Sequence, residues 1–455
     1  MAIKYRVYVV SVIFAVLMLT PLVYLTRYQV VEADKILAMP NELRLEQTKE
    51  LRGSIMDRNR HPLAYSKGRE RLYEPGESLG SLIGCNGAEG LDVQLASLTE
   101  GRAVPRQPLA AIRQIGKGDL RGDDIVLTID SKLQADIYEL LNGYLGACVV
   151  MNATNGELLA LVSRPSYANS RAGEPEYWEK LLKQDVASPL SERCLTSRYE
   201  PGSTMKLLMM SAVLSDGKAT ADEQFTCHGE VEVGNYVLPC MATHGTISLT
   251  DGLAYSCNVV FALLGERLYV SGINTWAKQF GLTDELPYVP GAEPAHLPTN
   301  SSASSPAEAA IGQADWLVSP LHVARIASVI ANKGHLIEPV LVKGVWRHED
   351  WEVEFKTREV RQVISEKVAA QVADAMVKAV QEGTCTRAGL SYAQVAGKSG
   401  SAENPHGDAH AWFVGYAPAD KPRIVCAVVL ENAGGGGHFA APIAREVLDM
   451  ALSRY

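Results

Sequence analysis

The chain has 455 residues, more than one hydrophobic core usually organises, so two or more domains are expected. Apolar residues make up 47% and charged residues 21%, the balance of a folded protein rather than a disordered one. A formal net charge of -9 removes the electrostatic case for nucleic acid as a partner.

Val7 to Leu25, VYVVSVIFAVLMLTPLVYL, is an uncharged apolar run long enough to cross a bilayer as a helix. Lys4 and Arg6 precede it and no small-residue cleavage pattern follows. This predicts an uncleaved single-pass anchor in the cell membrane, with residues 1–6 cytoplasmic and the chain beyond residue 25 outside. Residues 26–51, with helix-forming stretches such as NELRLEQTKEL, read as a stalk. Residues 52–66, RGSIMDRNRHPLAYS, set turn formers between short apolar pieces and predict strand, turn, strand. Residues 67–120 are Gly- and Pro-rich with weak periodicity, so 52–140 is expected to form a small, irregular pedestal.

From DDIVLTIDSKLQADIYELLNGY onward the texture is regular, with a strand followed by a helix whose apolar residues are Leu133, Ile137, Leu140 and Leu141. ACVVMN and ELLALVS follow, joined by Ala153-Thr154-Asn155-Gly156, a hairpin signal. AWFVGYA and RIVCAVVLE near the other end form a second strand pair around the turn Pro418 to Pro422, and the stretch between the two pairs reads as mostly helical. Strands at both ends of a helical middle predict an α+β domain over 141–455, one antiparallel sheet covered by helices.

Ser203-Thr204-Met205-Lys206 follows Pro201-Gly202 and opens an apolar helix. Residues three apart share a helix face, so the Lys206 amine can reach the Ser203 hydroxyl and act as its base, provided burial or nearby positive charge keeps that amine partly neutral. At a helix N-terminus the Ser203 N–H is also free to stabilise an oxyanion. On its own this motif also fits an ordinary helix cap with a solvated lysine. Ser256-Cys257-Asn258 and Lys398-Ser399-Gly400-Ser401 strengthen the catalytic reading, because S-x-x-K, S-x-N and K-[ST]-G occur in this order in the penicillin-recognising serine enzymes.

The resemblance is to class B penicillin-binding proteins and extends over roughly residues 52–445. RGSIMDRNRHPLA resembles that class's R-G-x-I-x-D-R-N-G-x-x-L-A opening, with Arg60-His61 where the pattern has Gly, and GDDIVLTIDSKLQ, ACVVMNATNGELLALVSRPSY, RYEPGSTMK and AWFVGYAP are also similar to it. The resemblance implies a transmembrane helix, a pedestal like the dimerisation domain of these proteins, and a transpeptidase domain built on a five-stranded antiparallel sheet. It implies a D,D-transpeptidase that cross-links peptidoglycan through an acyl-enzyme on Ser203 and binds penicillin at the same serine. Lys206 would be the base. Ser256 would pass a proton between Lys206 and the leaving amine, and Asn258 would hydrogen-bond the substrate amide. Lys398 would put a cation near the substrate carboxylate, Ser399 and Ser401 would present hydroxyls to it, and Gly400 would let the strand come close. The backbone N–H groups of Ser401 and Ser203 would form the oxyanion hole. Family members more often carry Thr at 399 and 401. Nothing resembles a glycosyltransferase, so the implied partners are stem peptides, β-lactams, the membrane and a separate membrane glycan polymerase. A β-lactamase or β-lactam sensor shares the three motifs, and a non-catalytic cell-wall scaffold is the reading from a different class.

Catalysis by this chemistry requires no cofactor. Of the eight cysteines, Cys148 and Cys426 lie in apolar strands and read as core. Cys227, Cys240, His244 and Cys257 have the ligand types of a Cys3His structural zinc site. A Cys227–Cys240 disulfide, contributing about 3 kcal/mol in the chain-entropy model, and free buried thiols are the other two readings. His406, His410 and His438 read as loop or strand polar residues. Gly434 to Gly437 read as a flexible connection to a C-terminal helix starting near Ala441-Pro442.

Overall fold

The computed structural model describes residues 14, 17–19 and 52–455, apart from 69, 75, 86–89, 100–121, 185–186, 235, 300–301, 348 and 406. The expected anchor and stalk lie outside the described residues except for Phe14 and Leu17 to Leu19, which are helical, and His406 also lies outside them. Among the described residues no helix is long and apolar enough to cross a membrane.

Strands β1 (Ile55–Met56) and β2 (Pro62–Lys67) form the expected antiparallel pair, and β3 (Glu70–Tyr73) extends it. The turn between β1 and β2 is organised by Asp57, whose Oδ1 accepts from the N–H of Asn59 at 2.8 Å and of His61 at 2.9 Å. Arg60 sits in this turn at φ 65°, the left-handed region that glycine enters without strain, and its guanidinium lies 4.5 Å from the Trp346 ring centroid. The position where the family pattern has glycine therefore keeps the glycine conformation, with a stacking contact offsetting part of the strain. Beneath the sheet, Asp92 is buried and receives Arg52 Nη2 at 2.9 Å, Arg71 Nη2 at 2.8 Å and the Tyr73 hydroxyl at 2.9 Å.

Strand β4 (Asp124–Leu127) pairs parallel with β1 and leads to α1 (Ser131–Leu140), whose N-cap Asp130 accepts from the N–H of Lys132 and Leu133. Leu133, Ile137 and Leu141 are fully buried and Leu140 partly so. Strands β5 (Gly146–Asn152) and β6 (Leu158–Arg164) form the hairpin, with Gly156 at φ 75° in its turn. A short 3-10 turn, Gly202–Met205, runs into α2 (Lys206–Ser215).

The middle of the chain is less helical than its sequence suggests. It contains β7 (Gln224–Cys227), β8 (Glu230–Val233), β9 (Tyr236–Pro239) and β10 (Gly245–Ser248), paired β7 with β10 and β8 with β9. Helices α3 (Leu249–Ala254) and α4 (Asn258–Gln279, broken at Tyr269) follow, then α5 (Pro320–Ala331). After β11 (His335–Ile337) come β12 (Val342–Arg347), β13 (Asp350–Glu354) and β14 (Glu359–Gln362). Strands of three to six residues, such as the four-residue QFTC with one buried side chain in two, are too short for periodicity to register. Strand β12 pairs antiparallel with β4, so the pedestal sheet runs β13-β12-β4-β1-β2-β3 and takes two strands from within 141–455.

Helix α6 (Glu366–Gln381) precedes β15 (Ala396–Ala402), β16 (His410–Ala417) and β17 (Ile424–Leu430). The expected five-stranded antiparallel sheet is present in the order β15-β16-β17-β5-β6. Every residue of β17 is buried, because its side chains alternate between two covered faces. Val425, Ala427 and Val429 join the core with α2 and α5, while Ile424, Cys426, Val428 and Leu430 join the core with α1 and α7 (Gly436–Leu452). Burial of each Val, Ile and Leu side chain among these contributes roughly 1.5–3 kcal/mol. Cys148 and Cys426 are core residues, as expected. Helix α7 begins at Gly436, five residues before the expected start, and Pro442 lies inside it. The glycines at its start are not a flexible connection: a Cβ on Gly436 would meet the Trp412 and Gly400 carbonyls at 2.1 and 2.2 Å, and one on Gly437 the Thr384 carbonyl at 2.1 Å.

Candidate active site

The segment before Ser203 is fixed from several sides. Tyr199 exchanges backbone hydrogen bonds with Val318, its hydroxyl donates to Glu431 at 2.7 Å, and Arg193 Nε holds the same carboxylate at 2.7 Å. Trp412 Nε1 donates to the Glu200 carbonyl at 3.0 Å, and Gly202 N donates to the Gly312 carbonyl at 2.9 Å. Gly202 adopts φ 53°, and a Cβ there would lie 2.8 Å from the Ser401 carbonyl. The nucleophile turn and the K-S-G strand β15 are thus in direct contact. Gly400 makes that contact from the other side, since its Cβ position is 3.1 Å from Thr204 Cγ2 and 3.2 Å from the Pro201 carbonyl. The glycine expected to admit substrate also admits the turn that carries Ser203.

Lys206 is fully buried. Its Nζ donates to Asn258 Oδ1 at 2.7 Å, to the Ser256 carbonyl at 2.8 Å and to Ser256 Oγ at 3.3 Å. No hydrogen bond joins it to Ser203 Oγ among the described residues; its partners are Ser256 and Asn258 of the second motif. Lys398 Nζ approaches the same Ser256 Oγ at 3.0 Å and also donates to the Ser399 carbonyl at 2.6 Å. The Lys398 side chain is fully buried, with its ammonium turned toward Ser256. Ser256 holds φ 60°, rare for a residue with a side chain and costly unless its surroundings over-determine it.

Burial, reinforced by the Lys398 charge, holds the Lys206 amine well below the usual lysine range, and burial lowers Lys398 to about 8. The sign for activity follows. A base with a depressed pKa gains its neutral form as pH rises through that value, and Lys398 keeps its charge up to about 8. The second-order rate of penicillin acylation should therefore rise from acid pH and fall again on an alkaline limb near pH 8, a bell belonging to the lysine pair. A rate flat from acid to alkaline pH would remove Lys206 as the base.

The remaining expected residues are placed differently from one another. Asn258 Nδ2 donates to the Pro239 carbonyl at 2.9 Å, so this amide is held between β9 and Lys206. Ser399 Oγ donates to Thr384 Oγ1 at 2.9 Å, and its N–H donates to Cys385 Sγ at 3.0 Å. Ser401 is exposed, and its Oγ accepts from Gly436 N at 3.3 Å. Strand β15 is the sheet edge, so its outer N–H groups have no strand partner. Thr384, Cys385, Gly312 and Trp412 support the site without having been expected. None lies in a motif, and only the bulk of a Trp in a strand next to the edge gave any signal.

Cys227, Cys240, His244 and Cys257 come together: one donor atom from each lies within 4.8 Å of all the others. Among the described residues no disulfide is formed, so the Cys227–Cys240 disulfide reading is not what the structure holds. His410 Nδ1 accepts from Asn432 N at 3.1 Å, and His438 packs on Phe439.

A Ser-Lys turn seated on the edge strand of a helix-covered antiparallel sheet, with a second buried lysine facing it across a serine, defines a serine acyltransferase of the penicillin-recognising class. Residues 146–449 match the family model described as penicillin binding protein transpeptidase domain. Peptidoglycan D,D-transpeptidase PbpA of Mycolicibacterium smegmatis is 32% identical over 367 residues, covering 73% of each chain. Peptidoglycan D,D-transpeptidase MrdA of Haemophilus influenzae is 30% identical over 73% of this chain and 57% of its own length. Among solved structures, the imipenem acyl-enzyme complex of penicillin-binding protein A from M. tuberculosis superposes with a TM-score of 0.80 at 29% identity, covering 90% of this chain and 100% of that one. This chain belongs to the penicillin-binding protein transpeptidase family, in its class B.

Proposed function

We propose that this protein is a peptidoglycan D,D-transpeptidase in which Ser203 attacks the penultimate D-alanine carbonyl of a stem peptide. The observation that carries the reading is the convergence of two buried lysines on one serine: Lys206 and Lys398 both reach Ser256 Oγ, beside the turn that presents Ser203. Ser203 Oγ bonds to the carbonyl carbon as its proton passes to neutral Lys206. The C–N bond then breaks, and the proton returns through Ser256 to the departing D-alanine amine. An amine of a neighbouring stem resolves the ester, its proton retracing the same path. The N–H groups of Ser203 and Ser401 hold the oxyanion. Asn258 aligns the donor peptide, and the Lys398 charge together with the hydroxyls of Ser399 and Ser401 attracts its carboxylate. Penicillin acylates the same serine.

The reading extends to place and partners. Residues 7–25 anchor the chain in the cell membrane with its N-terminus cytoplasmic and the catalytic part outside. In support, Phe14, Leu17, Met18 and Leu19 are helical and each more than half exposed, apolar surface that a bilayer would cover. A separate membrane glycan polymerase supplies the strands to be cross-linked.

The test is covalent labelling with a fluorescent penicillin, followed by peptide mapping of the adduct and measurement of its lifetime. The expected result is one long-lived adduct on the peptide containing Ser203. Rapid loss of the adduct would indicate a β-lactamase, and no adduct on folded protein would indicate a scaffold.

A further inference from the structure

We infer that Cys227, Cys240, His244 and Cys257 bind one zinc ion, and that this ion fixes the loop carrying Ser256 and Asn258; the second clause rests on the roles proposed above for those two residues. Cys227 Sγ lies 3.4 Å and Cys240 Sγ 3.6 Å from His244 Nδ1, and the Cys240 and Cys257 sulfurs are 3.9 Å apart. A tetrahedron with Zn–S of about 2.3 Å and Zn–N of about 2.0–2.1 Å has edges of roughly 3.5–3.8 Å. Three of the six edges are thus close to the lengths that zinc requires, and all four donor atoms lie within 4.8 Å of one another, so small side-chain shifts close the tetrahedron. A disulfide would bring one pair of sulfurs to about 2.05 Å and leave the third cysteine and the imidazole without a strong partner. Three thiols beside an imidazole are poor mutual donors, whereas three thiolates and one imidazole suit a soft divalent ion.

The fold explains why these four meet. Cys227 ends β7 and pairs with Gly245 of β10, which places the preceding residue, His244, beside it. Cys240 follows β9, and its N–H donates to the Gly229 carbonyl at 2.8 Å, one more rung of the β8–β9 ladder, so closing that hairpin returns the chain to the end of β7. Cys257 is the N-cap residue of α4. Cys227 and Cys257 are fully buried, and four protein donors leave no open position, the pattern of a structural ion and not of a catalytic one.

Cys257 is the middle residue of Ser256-Cys257-Asn258. The Asn258 N–H donates to Cys240 Sγ at 3.3 Å, the kind of outer-shell bond that stabilises a metal-bound thiolate. The ion would thus grip the motif twice, through Cys257 directly and through Asn258 by way of Cys240. The strained φ of Ser256 lies next to that grip, and a fixed Cys257 supplies the constraint such a conformation needs.

The experiment is metal analysis of the full-length chain purified without added metal, with zinc removed by a chelator and then restored. The expected results are about one zinc per chain, loss of that zinc in Cys227→Ser and in His244→Ala, and an acylation rate roughly 100-fold lower after stripping that recovers on adding zinc. Cobalt exchange should give the intense thiolate-to-metal absorption of a tetrahedral site, a readout on wild-type protein that does not depend on a variant folding. Chain that purifies metal-free and labels with penicillin at a rate zinc does not change would overturn the inference, as would a mapped disulfide among the three cysteines. Zinc-replete chain that never labels would defeat the catalytic assignment and leave the metal site standing.

Discussion

Ser203→Ala will fold as the parent does and carry no penicillin adduct. In the proposed reaction the acyl-enzyme bond is made to Ser203 Oγ, and the Ser256 hydroxyl is already engaged by both lysine Nζ atoms, at 3.3 and 3.0 Å. Loss of a serine nucleophile in comparable acyl-transfer sites lowers turnover on the order of 10⁶-fold, which here means labelling below detection. Among the described residues the Ser203 side chain makes no hydrogen bond, so its removal should change stability by no more than about 0.5 kcal/mol. Intact-mass analysis after incubation with penicillin, beside a thermal melt, checks both halves. An adduct on the variant would move the nucleophile elsewhere.

Asp92→Ala will be the most damaging substitution outside the active site. Asp92 is 1% exposed and is the shared acceptor for Arg52, Arg71 and Tyr73. Removing it leaves two guanidinium groups buried without their counter-ion, and breaking a buried pair in this way costs about 3–5 kcal/mol. All four residues lie in the pedestal, away from the elements that hold Ser203. Urea unfolding should show the loss in full, while the folded fraction should label with penicillin at the parental rate. A loss below about 1 kcal/mol would mean that water or another anion replaces the carboxylate.

The sequence was most informative where chemistry demands a fixed local spacing. Ser203 with Lys206, and Ser256 with Asn258, each sit within one turn of chain, and the sheet strands are long, apolar and bounded by turn residues. Partnerships across distance were not legible. Lys398 meets Ser256 across 142 residues, and nothing in K-S-G says that its ammonium points inward to a serine. Asp92 lies in a stretch with no periodicity, so Arg52 could be seen as a family residue without its partner being visible. Cys227, Cys240, His244 and Cys257 were legible as residue types, and only the pairing of β7 with β10 and of β8 with β9 brings them to one point. Helix α7 was misplaced because Pro442 reads as a helix opener and the preceding glycines as breakers. In the structure those glycines are small so that a helix can lie against β15 and β16.

The pedestal sheet has a consequence for how the chain can be divided. Its strand order takes β12 and β13 from far along the sequence and ties them to β4, while Thr128 Oγ1 donates to the carbonyls of Leu158 and Val340, both at 2.7 Å. Cutting before residue 141 would expose one long side of β12, a row of unsatisfied N–H and C=O groups of the sort that recruits strands from other molecules. The boundary between the two halves is therefore not a seam. A tug on the pedestal is borne by the ladder between β4 and β12 rather than by a loose linker, so the pedestal and the catalytic sheet should turn together, as a handle turns with its blade.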